Sequence, residues 1–534
     1  MRRSTMPPGR ASLAAAVLAL GLVVVALAGG ATAGAGTAAA GDVLTIDNVY
    51  NNKGLDPHTE LSLTAYMADR AMYDTLLTFK GSGTTPVPSL ATSWKASADG
   101  RTFTFPLRRG AVFSDGTPVT SADVVFSFRR MAGLKVSSFL IDGVTASAQG
   151  PYTVVLRSKT SNPALPRIVT SPALSIVNAA VVRAHGGSAA PNAYKVDKAG
   201  LWLSHNSAGS GPYILNSFTA QEQIVLETNP AFRGAKPHFK KIVIRNMGTP
   251  AQLLNVQRGS NEVAYDLSAV QAASLRSKQG LSVLLTPAPI LFFLDLNRAA
   301  AGCDACANPH IQRAIRYALD YAALLQVAGP GAVQAPGLVP PQFLGHLPPA
   351  AAPKRNLDKA RAEIAASGIA HPAIQLEADA GITFAGVSLQ LVGERAQAAL
   401  KEAGFDVKLV TLSYTVSNPL HAAGKLQLQV NLTIPDYLDP NAYLIFIPGS
   451  RYEKSNGWPA SADPQLAALG EQAGATLDDT KRARLFQQIQ LRLNRVGPFY
   501  QLFFPVQSVV ATSGLTNVAY NPMWGLDVAA IGSR

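Results

Sequence analysis

The chain holds two cysteines, Cys303 and Cys306. Their C-x-x-C spacing suits dithiol redox exchange, half of a zinc site or a short disulfide. A zinc site wants two more good ligands, and His310 is the one nearby candidate. Thioredoxin-like exchange places the pair at a helix start after a strand, whereas here it falls in a polar loop flanked by Ala and Gly. In an exported chain a small structural disulfide ranks first, with metal or redox a distant second. Nucleophilic catalysis finds no motif: there is no G-x-S-x-G and no S-x-x-K. H-E-x-x-H, a P-loop and a dinucleotide-binding glycine motif are also missing, and the eight histidines are dispersed. Carboxylates are plentiful, but spacing cannot show a facing pair for glycoside hydrolysis. Catalytic groups can assemble from distant positions, so an enzyme stays open as the minor reading.

The N-terminus supplies the compartment. Arg2, Arg3 and Arg10 precede an apolar run over Leu13 to Ala28, and small residues follow at Ala31-Thr32-Ala33 and Ala38-Ala39-Ala40. That order is the order of a secretion signal, cleaved near Ala33 or Ala40. The rival reading is an uncleaved anchor, for which the run is short. No cysteine near the cleavage region offers a lipid attachment, and Arg2-Arg3 lacks the rest of a twin-arginine pattern. The expectation is a periplasmic protein exported unfolded. Lys and Arg exceed Asp and Glu by 13, of which three arginines lie in the signal. The basic residues are scattered without interleaved aromatics, which argues for a solvated surface and against nucleic acid.

The rest is long enough for two or three domains with real cores. Val43 to Val49 reads as a strand and Ala65 to Leu77 as a helix. In Arg101 to Leu107, Phe103, Phe105 and Leu107 fall on one face and threonines on the other, the pattern of a half-buried strand. Thr120 to Asp123 resembles a capping box ahead of a helix carrying Val124, Phe128 and Met131. Two segments share one plan: a helix stopped by glycine, then a strand. The first runs over Ala251 to Arg258, Gly259 and Val263 to Leu267; the second over Val387 to Ala403, Gly404 and Phe405 to Leu409. Their distance in sequence predicts two α/β lobes. A helix is expected over Ile311 to Leu325, a long loop over Gly329 to Pro353, and a final helix capped by Asp479 or Thr480 and ended by Gly497-Pro498.

Five blocks in order resemble one family. The first is Gly54-Leu55-Asp56-Pro57-His58 with Tyr73-Asp74-Thr75-Leu76-Leu77, continuing through Pro88-Ser89-Leu90-Ala91, Trp94, Asp99-Gly100, Thr102 to Phe105, Gly110, Val112 to Gly116, Ala122-Asp123-Val124 and Phe128. The second is Gly211-Pro212-Tyr213 with Asn229-Pro230 and Gly234. The third is Asn297 with Arg313-Ala314-Ile315 and Tyr317 to Asp320. The fourth is Asp436-Tyr437-Leu438-Asp439-Pro440, and the fifth Asp463 to Leu466 with Arg482 and Phe486. In these blocks the chain resembles the extracellular solute-binding proteins of peptide-type ABC importers, the oligopeptide- and dipeptide-binding group known as family 5.

The resemblance implies an α/β, two-lobed periplasmic-binding-protein fold with an extra domain inserted in the first lobe. The implied divisions are a signal over 1–40, lobe I over 41–90, 206–300 and 495–534, the extra domain over 91–205, and lobe II over 301–494. It implies no catalysis and no cofactor. It implies a short peptide or related solute as ligand, a membrane permease with its cytoplasmic ATPase as partner, and a monomer. Asp436 is the implied partner of the ligand ammonium; its plain alternative is a turn cap with Tyr437 and Pro440. Leu432, Thr433 and Ile434 on lobe II, and Leu61 to Leu63 on lobe I, are the segments expected to pair with a peptide backbone. Phe292 and Phe293 lie on an expected crossing strand; they face opposite ways, so at most one lines the cleft, and core packing is the plain reading of each. Two departures stand out: Thr433 occupies a place where peptide-binding members usually carry tryptophan, and Pro435 has no N–H to donate. The rival functions are an exported hydrolase of peptides or cell-wall fragments, and a fold-related adhesion or signalling component.

Overall fold

The computed structural model describes residues 40–534. The expected signal and its cleavage positions fall essentially outside them. No helix among the described residues is long and apolar enough to cross a membrane.

The chain opens with β1 (Val43–Asn48) and helix α1 (Leu63–Met72). Ser62 caps α1 by accepting from Ala65 N–H, so the helix starts two residues earlier than its apolar spacing suggests and stops at Met72. The inserted domain follows. It carries β2 (Lys95–Ala96), β3 (Thr102–Pro106), helix α2 (Ser121–Leu134), β4 (Val144–Ala148) and β5 (Thr153–Ser158). These strands form a four-stranded sheet in the order β2-β3-β5-β4. Phe103 and Phe105 are buried on one face of β3, as the alternation requires. At α2 both halves of the Thr120–Asp123 capping box are made.

The chain then returns to the first sheet. Its strands are β6 (Tyr213–Thr219), β7 (Gln223–Thr228), β8 (Lys241–Asn246), β9 (Glu262–Ala264) and β10 (Leu281–Pro287), with helix α3 (Thr249–Arg258) before β9. The second sheet begins at β11 (Leu291–Leu296). After it come α4 (Pro309–Ala318), α5 (Tyr321–Ala328), β12 (Val333–Gln334), β13 (Ala373–Asp379), α6 (Leu389–Ala403), β14 (Asp406–Leu412), α7 (Tyr414–Ala422), β15 (Leu428–Thr433), α8 (Pro464–Ala475), α9 (Asp479–Val496) and β16 (Phe499–Phe504). β17 (Val506–Thr512) returns to the first sheet. The first sheet is ordered β10-β17-β9-β1-β8-β7-β6 and the second β12-β16-β11-β15-β13-β14. The two helix–glycine–strand segments thus fall in different sheets. Gly404 ends α6 at φ +110°, a left-handed conformation that a Cβ disfavours.

The chain passes between the sheets twice. β10 pairs with β17 in the first sheet, and β11 pairs with β16 in the second. Only residues 288–290 and Pro505 separate the members of each crossing. There Ala288 N–H donates to the Pro505 carbonyl at 2.8 Å. Since β11 and β16 both belong to the second sheet, the chain changes sheet at these two links. Sequence spacing alone does not show which side of a crossing a continuous apolar strand pairs on.

Two smaller differences have local causes. The single helix expected over Ile311 to Leu325 is broken, because Leu319 is extended and Asp320 starts α5 by accepting from Ala323 N–H. The cap of α9 is Asp478, one residue before the expected position, accepting from Lys481 N–H. Cys303 and Cys306 are joined as a disulfide, spanning a short helical turn just ahead of α4.

Three large apolar clusters hold these layers. One lies about the first sheet, with Leu44, Ile46, Ile242 and Val509. A second lies under α4 and α6 on one face of the second sheet, with Leu294, Leu376 and Val430. The third is shared between the inserted domain and lobe II: Phe103, Phe105 and Leu156 belong to the same cluster as Phe446, Phe486 and Phe499.

Candidate functional site

The cleft between the sheets is best approached from β15. This strand pairs with β11 along its whole length, from Leu291↔Thr433 to Leu296↔Leu428. On its other side it meets β13 only at Leu428 and Gln429. From Val430 onward that edge has no strand partner among the described residues. An unpaired edge presents N–H and C=O groups to whatever lies beside it. Leu432 and Thr433 are half-buried, and Ile434 just past them is 41% exposed.

Asp436 follows on the same run. It is exposed, and among the described residues its carboxylate has no hydrogen bond or ion pair within reach. Its pKa is raised because surrounding protein displaces water, while the nearby Arg451 charge pulls the other way. Asp439, three residues on, has the opposite fate. It is buried, accepts two bonds from the buried Arg482, and takes a third from Arg167 of the inserted domain at 3.3 Å. It also caps the following turn through Asn441 N–H. Of the two aspartates in the block, one is committed to structure and the other is not.

The first lobe faces this carboxylate through α1. The Tyr66 phenol is pushed above its usual range by burial, then further by the charges of Asp69, Asp436 and Glu60, with the Ser171 hydroxyl opposing. Tyr66 on lobe I therefore feels Asp436 on lobe II. Leu61 and Leu63 are exposed at 38% and 36%. Leu63 is the first residue of α1, so only the stretch before it is extended. That stretch is anchored from below. Asp56 accepts two bonds from Arg130 on α2, whose Nε and shared Nη2 also donate to Asp197. His58 lies against the same guanidinium: Nε2 is 2.9 Å from the Ser175 carbonyl and Nδ1 is 3.0 Å from Arg130. A neutral imidazole protonated at Nε2 meets both demands, and burial with the Arg130 charge lowers its pKa to about 4.

Tyr437 is half-buried against the shared cluster. Neither phenylalanine of β11 reaches a cleft surface. Phe292 is fully buried and stacks on Phe503 at 4.9 Å, and Phe293 is fully buried against Phe446 and Phe499. The strand is covered on both faces, so both side chains are core.

Sequence reading missed Tyr66, Arg451 and a row of two acids and an amide below the open edge. Asp295, Gln429 and Glu377 lie side by side across β11, β15 and β13. Asp295 takes His421 of α7 at 2.6 Å and Asn456 at 3.2 Å. Burial works against the His421 charge, but Asp295 outweighs it and holds His421 above its ordinary value. Glu377 is 1% exposed and its oxygens lack hydrogen bonds of good geometry. Burial, with the charge of Asp379, raises it to about 7. The only signal for this row was the alternation of Gln375, Glu377 and Asp379 with apolar residues, which reads as a solvated face.

A carboxyl whose pKa rises on folding binds its proton more tightly in the folded state. Stability is then complete at low pH and falls as pH climbs from the unfolded value through about 7. The shift corresponds to roughly 3 kcal/mol at full ionisation. Glu377→Gln is expected to raise stability at pH 8 by about 2–3 kcal/mol and to leave it unchanged at pH 4. Urea unfolding at the two pH values checks this; equal effects at both would remove the titration as the cause.

The family model for bacterial extracellular solute-binding proteins, family 5 Middle, matches residues 85–454. The chain is 27% identical over 506 residues to the "Probable D,D-dipeptide-binding periplasmic protein DdpA" of Escherichia coli (strain K12), covering 90% of this chain and 92% of that protein. It is 23% identical over 467 residues to the "Dipeptide-binding protein" of the same strain, covering 84% and 86%. Among solved structures, HbpA2 from Haemophilus parasuis superposes with a TM-score of 0.80 at 19% identity, over 92% of this chain and all of the other. DppA from Helicobacter pylori, solved with the peptide STSA, gives 0.70 at 20% identity, over 92% and 98%. Two lobes joined by paired crossings and a match across most of the length place this chain among the bacterial extracellular solute-binding proteins of family 5.

Proposed function

We propose that the protein captures a short peptide, or a solute with a similar cationic end, between its two lobes. It then presents that ligand to an ABC permease from the periplasmic side of the inner membrane. The observation that carries this reading is the pairing of Asp436, a carboxylate without a protein partner, with the open edge of β15 beside it. A peptide offers an ammonium to the first and a strand of donors and acceptors to the second. A buried ammonium needs a carboxylate, since an unpaired charge in a closed cleft is costly. The relatives named for dipeptides and the neighbour holding a tetrapeptide support the same class. Leu61, Leu63, Leu432, Thr433 and Ile434 would meet the ligand backbone, and Tyr437 would border it. Thr433 leaves more room than an aromatic residue there, and Pro435 offers no N–H, so a ligand side chain would meet a small residue and the backbone pairing would end at Ile434.

The test is calorimetric titration of ligand-stripped protein with a dipeptide and with its N-acetylated form. The free amine is expected to bind at least about 30-fold more tightly, the equivalent of one charge-assisted bond. Equal affinities would overturn the ammonium reading. Mass spectrometry of solute released on denaturation identifies the natural ligand.

A further inference from the structure

A cavity of about 680 Å³ opens on lobe II, bounded by the end of β11, the first turns of α4 and α8, and the last turn of α9. It is far from Asp436. β11 and β15 run antiparallel with Leu291 opposite Thr433, so Asp436 lies at the hinge end and Arg298 at the other. Five residues of strand, roughly 17 Å, separate the two ends.

Five arginines line this cavity: Arg298, Arg313, Arg316, Arg492 and Arg495. Among the described residues its one lining carboxylate is Asp463. Asp463 is taken by Arg492 at 2.5 Å, and Arg313 is taken by Glu363 at 2.9 Å. Arg316 spends its terminal nitrogens on the Phe499 and Gly497 carbonyls and has no acid partner, while its Nε is buried without a hydrogen bond. Arg298 lies 5.1 Å from the Trp458 ring centre. Among the described residues neither its guanidinium nor that of Arg495 has a hydrogen bond or ion pair within reach. Burial lowers the pKa of both Arg298 and Arg316, the mark of cations desolvated without a counter-ion.

Gathering like charges on one concave wall raises the free energy of the protein and concentrates positive potential there. The N-terminal turns of α4 and α8 add to that potential. No lysine among the described residues lines the cavity, and the guanidinium fork matches phosphate and carboxylate geometry where an ammonium does not. The volume falls in the range of small-molecule sites, roughly 300–1,000 Å³. We propose that this cavity is a second binding site, separate from the solute cleft, for a compact polyanion bearing phosphate groups. Arg298, Arg316 and Arg495 hold the anion, and Arg313 and Arg492 frame it through their acid partners. Two sources share that chemistry, a soluble phosphate ester and the headgroup of an anionic lipid.

The probe for the first source is pyrophosphate, added to the whole mature protein at low ionic strength. Sodium sulfate at matched ionic strength is the control. Pyrophosphate at saturating concentration is expected to raise Tm by about 2–4 °C beyond the control. The R298Q/R495Q variant, whose guanidiniums make no hydrogen bond or ion pair among the described residues, should lose the rise. If that variant fails to fold, R495E alone at an exposed position reports the same loss. The second source is probed by sedimentation with phosphatidylglycerol vesicles against phosphatidylcholine vesicles. Selective sedimentation that the variant loses assigns a lipid headgroup, and pyrophosphate binding without sedimentation assigns a soluble ester. No response beyond sulfate with no selective sedimentation, or responses identical in wild type and variant, overturns the site. Solute binding at Asp436 should be unaffected by R298Q/R495Q, so the two sites are judged separately.

Discussion

Arg130→Met is expected to destabilise the protein by about 3–5 kcal/mol. The guanidinium is fully buried and bonds Asp56 and Asp197, whose side chains are 2% and 3% exposed. Methionine fills similar volume, so the cost is not a cavity. It is two carboxylates stranded in protein without a counter-ion. His58 is part of the same unit, because Arg130 donates to its Nδ1 and lowers its pKa. Removing the positive charge should move that pKa up from about 4 toward its ordinary value. In the wild type, a depressed histidine contributes stability that is present above its unfolded pKa and lost as pH falls toward about 4. That part of the acid limb should flatten in the variant. Urea unfolding from pH 4 to 8 measures both effects. The triple variant R130M/D56N/D197N separates charge from packing: it should recover much of the loss. A triple variant no better than R130M would mean that packing, not stranded charge, sets the cost. Because Asp56 anchors the stretch bearing Leu61, solute affinity in R130M should also fall.

Asp436→Asn is expected to weaken solute binding by about 2–3 kcal/mol, roughly 30- to 150-fold in Kd. Folding should be unchanged within about 0.5 kcal/mol, since the side chain sits on the surface and bonds no other group among the described residues. The pH dependence gives a sharper check. The carboxyl is raised by desolvation, and only its ionised form attracts an ammonium. Wild-type affinity should therefore climb as pH rises through that raised value and then level off. It should fall again as the ligand amine loses its proton near pH ~8. In the variant the rising limb disappears. A variant that keeps both the affinity and the acid limb would place the ammonium elsewhere.

Much of this architecture was legible in the residues. The Thr120–Asp123 box, the alternation of Phe103 and Phe105, and the glycine after Ala403 each obey a local rule that tertiary contacts did not override. The five blocks carried the family, and the family carried the two lobes. What stayed hidden depends on partners distant in sequence. The passages between the sheets at 288–290 and 505 are set by which strands pair, and β11 is apolar throughout except Asp295. The burial of Phe292 and Phe293 follows from cover on both faces of that strand. Asp436 and Asp439 are alike in sequence, and only the approach of Arg482 and Arg167 shows which one is committed to structure. The arginine cavity joins residues from 298 to 497, so no window of sequence displays it.

The open edge of β15 has a consequence for solubility. A row of free backbone groups beside an exposed isoleucine will accept a strand from any source, including another copy of the same chain. In the complex proposed above, a peptide would occupy that edge. The ligand-free protein at high concentration is thus the form most exposed to edge-to-edge aggregation, and a saturating peptide should act as its own anti-aggregation agent.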